Sequence, residues 1–357
     1  MSSVDRSCPD IQKILLLARS KKDKDPSTRL QEQYDDTLYD KLRRMQPNFI
    51  QKIEIIEGDV GKKGLGLNDV DRNKITEEVH VIFHGAATVR LDETLKLAIE
   101  TNTRGTKEMF LLAKSCTKLT AFVQISTSYR SKIGEVFYDA PLPTDKVIDL
   151  VDILDDELLE KFKKRIPVCI TCEESNVVAS VNGILVVLLV GVDVEDQMYM
   201  YQNLVGEYPN TYTYSKALAE DVVRQHSKIL PVAVVRPSMV ISTASEPVAG
   251  WIDNVYGPTG VTVGAGLGLL HSLHCDPNKK ADLVPGDYVV NAIIAAAWRT
   301  AREYSGNGED APSDPAPPIY NVVSSVDNPL TWRQVQRLGD MDVVKVMSES
   351  GMVGRKT

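Results

Sequence analysis

Leu119-Thr120-Ala121-Phe122-Val123-Gln124-Ile125-Ser126-Thr127 decides the fold. A mostly apolar run that closes on two hydroxyls reads as a buried strand whose end carries polar groups. Strands of parallel sheets are covered on both faces, so they show near-continuous apolar runs. Working outward toward the N-terminus, Asp92 to Cys116 has helical spacing, with Asp92 as its expected N-cap. Before it come two further strand-like runs, Val79 to Ala87 and Ile53 to Val60, then a charged amphipathic stretch from Ser27 to Met45. The earliest apolar run is Ile14-Leu15-Leu16-Leu17-Ala18-Arg19. Toward the C-terminus, a helical segment around Tyr212 and Lys216 precedes a fifth strand, Val232 to Pro237. Strands alternating with helices predict an α/β fold, a doubly wound parallel sheet. Ligands of such sheets bind at the carboxyl ends of the strands. Arg19, Asp59, Ala86-Ala87, Ser126-Thr127 and Arg236-Pro237-Ser238 fall there.

Composition sets the outer limits. At 357 residues the chain can bury a sizeable core, and 43% apolar with 25% charged residues is ordinary for a globular protein. A net charge of −8 argues against nucleic acid as a partner. Five scattered cysteines suit reduced thiols in an intracellular protein. Cys169 and Cys172 form a CxxC without a second pair or a histidine cluster, so no metal site is expected. Met1 to Asp10 has no apolar core of a signal peptide. The segment from Pro167 to Asn203 is atypical, because Gly183 to Val192 is almost wholly aliphatic. A membrane span, an extra buried element and an extraneous insertion all remain open readings of it. The expected organisation is a partial cofactor-binding region over 1–166, an insertion over 167–203, the rest of the catalytic domain over 204–335 and a tail over 336–357.

Tyr208-Pro209-Asn210-Thr211-Tyr212-Thr213-Tyr214-Ser215-Lys216-Ala217-Leu218-Ala219-Glu220 carries the chemistry. A Tyr four residues before a Lys places both on one helix face, one turn apart. An ammonium there is expected to lower the phenol pKa, making Tyr212 a proton donor to a carbonyl during hydride transfer. The hydroxyls of Ser126 and Thr127 are suited to the same carbonyl oxygen. Arg19, backed by Lys21 and Lys22, stands where a dinucleotide fold reads the adenosine ribose, and a basic group there accommodates a 2′-phosphate. Asp59 is placed to accept from an adenine amino group. Arg19, Asp59, Val60, Ala86, Ala87, Arg236 and Ser238 are together the candidate cofactor residues. Two glycine clusters, Gly61 to Gly66 and Gly264 to Gly268, have the wrong spacing for a dinucleotide fingerprint and read as flexible loops. No glycine-rich turn precedes Ile14.

In combination these stretches resemble the fatty acyl-CoA reductases of the extended short-chain dehydrogenase/reductase type, notably insect members. The resemblance rests on Ser7 to Arg19, Ile56 to Val60, Val81 to Asp92, Asn102 to Thr106 and Gln124 to Tyr129. It continues through Pro209 to Glu220, Val235 to Val240, Glu246 to Asn254, Gly257 to Gly260, Val284 to Asn291 and Tyr320 to Ser325. It implies a Rossmann-like fold and NADPH-dependent reduction of a long-chain acyl-CoA to a fatty alcohol through an aldehyde. By motif, Tyr212 is the proton donor, Lys216 its activator and ribose ligand, Thr127 the hydroxyl partner, and Arg19 the 2′-phosphate contact. Family members associate with peroxisomal or endoplasmic-reticulum membranes. The chain departs from the pattern by lacking the first strand with its TGxxGFxG turn and the helical C-terminal domain, by its shortened loop after Tyr129 and by the 168–203 segment. The expectation is therefore an incomplete or weakly active reductase. The alternatives are an inactive NAD(P)-fold remnant serving as an interaction module, or another extended-family reductase or epimerase.

Overall fold

The computed structural model describes residues 8, 10–20, 24–128, 134–140, 142–153, 205, 208–270, 272–305 and 316–338. Lys21, Lys22, the CxxC, the 167–203 segment and residues 339–357 lie outside the described residues.

Four parallel strands form the main sheet, in the order β3 (Val81–His84), β4 (Ala121–Ile125), β5 (Val232–Pro237) and β9 (Ile319–Val322). Their registers place Gln124 beside His84 on one side and beside Val234 on the other, and Val235 beside Tyr320. The near-continuous apolar runs have the expected cause, because both faces are covered. Phe122, Val232 and Val234 pack with Phe110, Ala113, Val222 and Val223 from two helices, α5 (Gly105–Ser115) and α7 (Thr211–His226). The alternate residues Ala121, Val123, Ala233 and Val235 meet Ala296 and Ala297 of a third helix, α9 (Gly286–Ser305), on the other face. This period of two, with aromatics on one face and small residues on the other, is what a doubly wound sheet demands. The rings of Phe110 and Phe122 stack at 4.3 Å and both are fully buried. Truncating either to Ala costs about 3–5 kcal/mol.

β1 (Ile14–Ala18) and β2 (Ile53–Glu57) pair in parallel as a separate two-stranded sheet among the described residues. Helix α5 joins the two sheets. Its Leu112 packs with Ile56 of β2 and with Ile75 of α3 (Asp69–Glu78), while Phe110 packs with Ile82 of β3. Met109 borders both clusters. Helix α6 (Thr144–Ile153) adds Val147, Ile148 and Val151 to a cluster with Tyr214 and Leu218 of α7. The α/β class with a parallel sheet is therefore present.

Several local readings change. Ser27 to Met45 is not one helix but two, α1 (Pro26–Tyr34) and α2 (Asp40–Met45), separated by a 3₁₀ turn. The reason is Asp36, which caps that turn by accepting from the Leu38 amide at 2.7 Å. The helix expected from Asp92 starts later. Thr94 is its N-cap, accepting from the Leu97 amide, and Asp92 instead pairs with Arg90. Helix α4 (Leu95–Ala98) then passes through a π-helical segment, Ile99–Arg104, into α5. The two glycine clusters are ordered as well. Gly64, Leu65 and Gly66 all adopt φ near +60°, and the turn is fixed by the fully buried Leu65 and by the Asp59 amide donating to the Leu65 carbonyl. Gly264 and Gly266 lie in a helix, α8 (Gly257–Gly266), rather than a loop. Helix α9, whose Ile293, Ala296, Ala297 and Ala301 face the sheet at helical spacing, and strand β9 are further elements beyond the runs read from the sequence. So are two short pairs, β6 (Met239–Ile241) with β8 (Leu283–Pro285) and β7 (Lys280–Ala281) with β10 (Leu330–Thr331). No helix among the described residues is long and apolar enough to cross a membrane.

Candidate active site

Helix α7 begins where Asn210 accepts from the Thr213 amide at 2.9 Å, so the first turn carries Tyr212 and the second Lys216. Parallel β4 delivers its carboxyl end, Ser126 and Thr127, to the same place. The Tyr212 phenol is hydrogen-bonded to the Thr127 hydroxyl. The Lys216 ammonium is buried and donates to the Ile125 carbonyl at 3.0 Å, the last residue of β4. The expected triad of Thr127, Tyr212 and Lys216 is thus assembled across one helix and one strand end.

Its electrostatics differ from the expectation. The Tyr212 pKa is raised, not lowered, because burial outweighs the hydrogen bond with Thr127. Lys216 is itself pushed down to about 8 by burial, with the Glu220 charge opposing. A spacing of four along a helix does not tell whether the ammonium is solvated; the fold places it in the interior, where the charged form is costly. His84, at the end of β3, is also buried and is held at about 3 by burial and by the Lys216 charge. Its Nε2 lies 3.1 Å from the Thr106 hydroxyl, which donates onward to the Asn102 carbonyl, so Nε2 carries the proton and donates to Thr106.

The candidate cofactor residues divide into groups. Arg19 and Asp59, beyond the ends of the paired β1 and β2, meet at 3.4 Å. Asp59 also accepts from the Gly61 amide at 2.9 Å. Val60 lies against Gly105, where an added Cβ would stand 2.7 Å from the Val60 carbonyl oxygen. Glycine is what lets the helix approach that turn so closely. Ala86 and Ala87 follow β3, exposed and half-buried respectively. Arg236 is not brought to the open side of this group. Its guanidinium, in a residue 2% exposed, is committed to both oxygens of Glu220 and to the carbonyls of Gly134 and Val136. Ser238 donates its amide to Val322 of β9 and is half-buried. Ser126 is separated from Thr127 in role, since its hydroxyl donates to Glu220 at 2.5 Å.

Asn102 belongs to one of the motifs of the resemblance, but the sequence assigns it no role. Its side chain accepts from the Thr88 amide at 2.9 Å and donates to the Thr88 carbonyl at 3.1 Å and to the Ser215 hydroxyl at 2.9 Å. It therefore straps the turn after β3 to the helix of Tyr212 and Lys216. Thr103 adds a bond to the Ser215 carbonyl at 2.9 Å. Both sit in the π-helical segment, a feature frequent at functional sites. An Asn inside an otherwise helical apolar pattern is the signal the sequence offers for it. Among the described residues there is no cluster of His, Cys, Asp or Glu able to hold a metal ion.

A doubly wound parallel sheet with Tyr, Lys and Thr at its carboxyl edge defines a Rossmann-like dinucleotide-fold protein. Residues 4–293 match the family described as male sterility protein, a family of NAD-binding domains, and the chain belongs to it. It is 37% identical over 335 residues to the Drosophila melanogaster protein named fatty acyl-CoA reductase wat, covering 92% of this chain and 56% of that one. It is 35% identical over 335 residues to human fatty acyl-CoA reductase 1, covering 93% and 56%. The chain thus spans a little over half the length of the curated relatives it matches. Among solved structures, the terminal reductase domain of the myxalamid biosynthetic pathway superposes with a TM-score of 0.55 at 18% identity, covering 92% of this chain and 62% of that one. A dTDP-glucose 4,6-dehydratase from Streptomyces venezuelae, solved with NAD bound, gives 0.52 at 14%, covering 96% and 75%. At these identities the likeness concerns the fold.

Proposed function

We propose that the chain carries the reductive site of an alcohol-forming fatty acyl-CoA reductase, with NADPH as hydride donor and a long-chain acyl-CoA as substrate. The observation that carries the reading is the convergence of Tyr212, Lys216 and Thr127 at the carboxyl end of β4. The relatives named fatty acyl-CoA reductase supply the substrate class.

The residues present fit a dinucleotide. Arg19 presents an exposed guanidinium at the end of β1, suited to bidentate pairing with a phosphate. Gly105 lets the helix close on the Val60 turn, and Ala86 and Ala87 leave the backbone after β3 approachable. When bound, NADPH supplies the hydride. The chain's own groups hold the carbonyl oxygen and give it a proton. The Thr127 and Tyr212 hydroxyls stabilise the oxygen as negative charge develops, and the Tyr212 phenol, protonated at neutral pH, is the acid. Lys216, fixed by the Ile125 carbonyl, places its ammonium one turn away and favours the phenolate that proton donation leaves behind. A thioester needs two reductions to reach an alcohol: the first, with one NADPH, would give the aldehyde as the C–S bond breaks and CoA leaves as its thiol, and the second, with another NADPH, would give the alcohol.

Calorimetry of the chain with NADPH and with NADH, joined to an assay for fatty alcohol from a long-chain acyl-CoA, tests the reading. Preferential NADPH binding and NADPH-dependent alcohol support it. Alcohol formation that survives the loss of the Tyr212 hydroxyl, or equal binding of both cofactors, is incompatible with it.

A further inference from the structure

Tyr212 and Lys216 share a helix, but the hydroxyl that completes the group comes from β4. The geometry of α7 alone does not fix the distance between them. Glu220 lies one turn beyond Lys216 on the same face of α7. Its carboxylate, in a residue 2% exposed, accepts from the Ser126 hydroxyl at 2.5 Å and from Arg236 Nε and Nη2 at 2.8 and 2.7 Å. Ser126 is the chain neighbour of Thr127. Arg236, on β5, extends the link by donating to the carbonyls of Gly134 and Val136, each at 2.9 Å. One carboxylate therefore joins the catalytic helix, the hydroxyl strand end, the next strand and the segment beyond β4. Stability does not account for such a pair, since apolar groups of similar volume are often as stabilising as a buried ion pair.

We propose that Glu220 is a positioning residue: through Ser126 and Arg236 it holds the Thr127 strand end and the Gly134–Val136 segment in register with Tyr212 and Lys216. The proposal rests on the reductive reading of that group. It assigns Arg236 to the support of the site through Glu220 rather than to the cofactor. The charges around Lys216 bear on its test. Tyr212 and Glu220 face it from its own helix, His84 from β3 stays neutral, and Arg236 from β5 is matched by Glu220.

The test uses the full chain with ¹³Cε-labelled lysine, the Lys216 resonance being assigned by its loss in Lys216→Arg. In the parent protein the Lys216 midpoint is expected at about 8. In Glu220→Gln its midpoint falls by about one pH unit or more, because an attractive charge is lost and Arg236 is left unmatched. Glu220→Gln combined with Arg236→Met removes both charges, so it guards against unfolding caused by a stranded Arg236, and its midpoint also falls. Hydrogen exchange over Ser126–Ser128 and Gly134–Tyr138 quickens at least about tenfold in both. Glu220→Asp keeps the charge but shortens the reach, so exchange quickens while the Lys216 midpoint stays near that of the parent. That separation is not a property of an inert buried pair. Folded Glu220→Gln, or the double variant, with an unchanged midpoint and exchange within twofold of the parent overturns the proposal. None of these readouts needs cofactor or substrate, so they decide the role of Glu220 even in a chain that forms no alcohol.

Discussion

Replacing Lys216 by Met should make the protein more stable at neutral pH while removing its chemistry. The lysine falls from 10.5 to about 8 on folding, with burial as the main cause. At 1.36 kcal/mol per pH unit, that drop is a penalty of roughly 3 kcal/mol against the folded state. The sign follows from proton counting. Between pH 8 and 10.5 the unfolded chain holds a proton on this lysine that the folded chain has released, so stability rises with pH across that window. Below it the full penalty applies, and above it the penalty is gone. Met is close to lysine in length and carries no charge to bury. Its introduction removes the bond from Lys216 to the Ile125 carbonyl, a loss of about 1 kcal/mol. The expected net gain is therefore about 2 kcal/mol at pH 7. By pH 9.5 about 2 kcal/mol of the parent's penalty has been relieved, and the advantage of the variant is nearly lost. Urea unfolding of both proteins at pH 7 and 9.5 reads this directly, because other titrating groups are common to the pair and cancel. A variant less stable than the parent at pH 7, or a stability difference equal at the two pH values, would refute the claim that Lys216 is charged in the interior at a cost.

Three further outcomes are expected. Tyr212→Phe should lower alcohol formation by about 10²–10⁴-fold, the usual worth of a general acid, while Tyr214→Phe changes it far less because Tyr214 is fully buried among Leu95, Val147 and Leu218; turnover of the two variants on one acyl-CoA compares them. Arg19→Glu should erode the preference for NADPH over NADH, since it removes the phosphate partner and sets a carboxylate beside Asp59; competitive titration of the two cofactors checks it, and an unchanged ratio excludes Arg19 from the 2′-phosphate. Asn102→Ala should cost about 2–4 kcal/mol, because it removes three hydrogen bonds made by the fully buried Asn102 side chain to Thr88 and Ser215, and thermal unfolding would show the loss.

The strands were legible because burial on both faces writes itself into the sequence as short apolar runs. β1 to β5 lie within the runs read for them. Tyr212 and Lys216 were legible for the same local reason, since a spacing of four on a helix needs no tertiary information. The helix boundaries around Asp36 and Thr94 were not, because several residues in each stretch are of the type that caps a helix. The glycine-rich turn at Gly64 to Gly66 reads as loose because sequence shows its permissive backbone but not the pocket that swallows Leu65.

What the sequence determined by itself is the alternation of elements, the identity of the reactive helix and the set of polar residues at strand ends. What the tertiary structure alone decided is how those polar residues divide. Ser126 and Thr127 are neighbours, yet one turns to Glu220 and the other to Tyr212. Arg19 and Arg236 both follow or end strands, yet one is exposed beside Asp59 and the other is enclosed by a carboxylate and two carbonyls. The direction of the pKa shifts belongs to the same level. A lysine near a tyrosine is a local fact, but whether its ammonium is solvated or desolvated depends on β3 and β4 being brought beside it from distant parts of the chain. Desolvation is a property of the assembled surroundings, and no spacing along the chain encodes it.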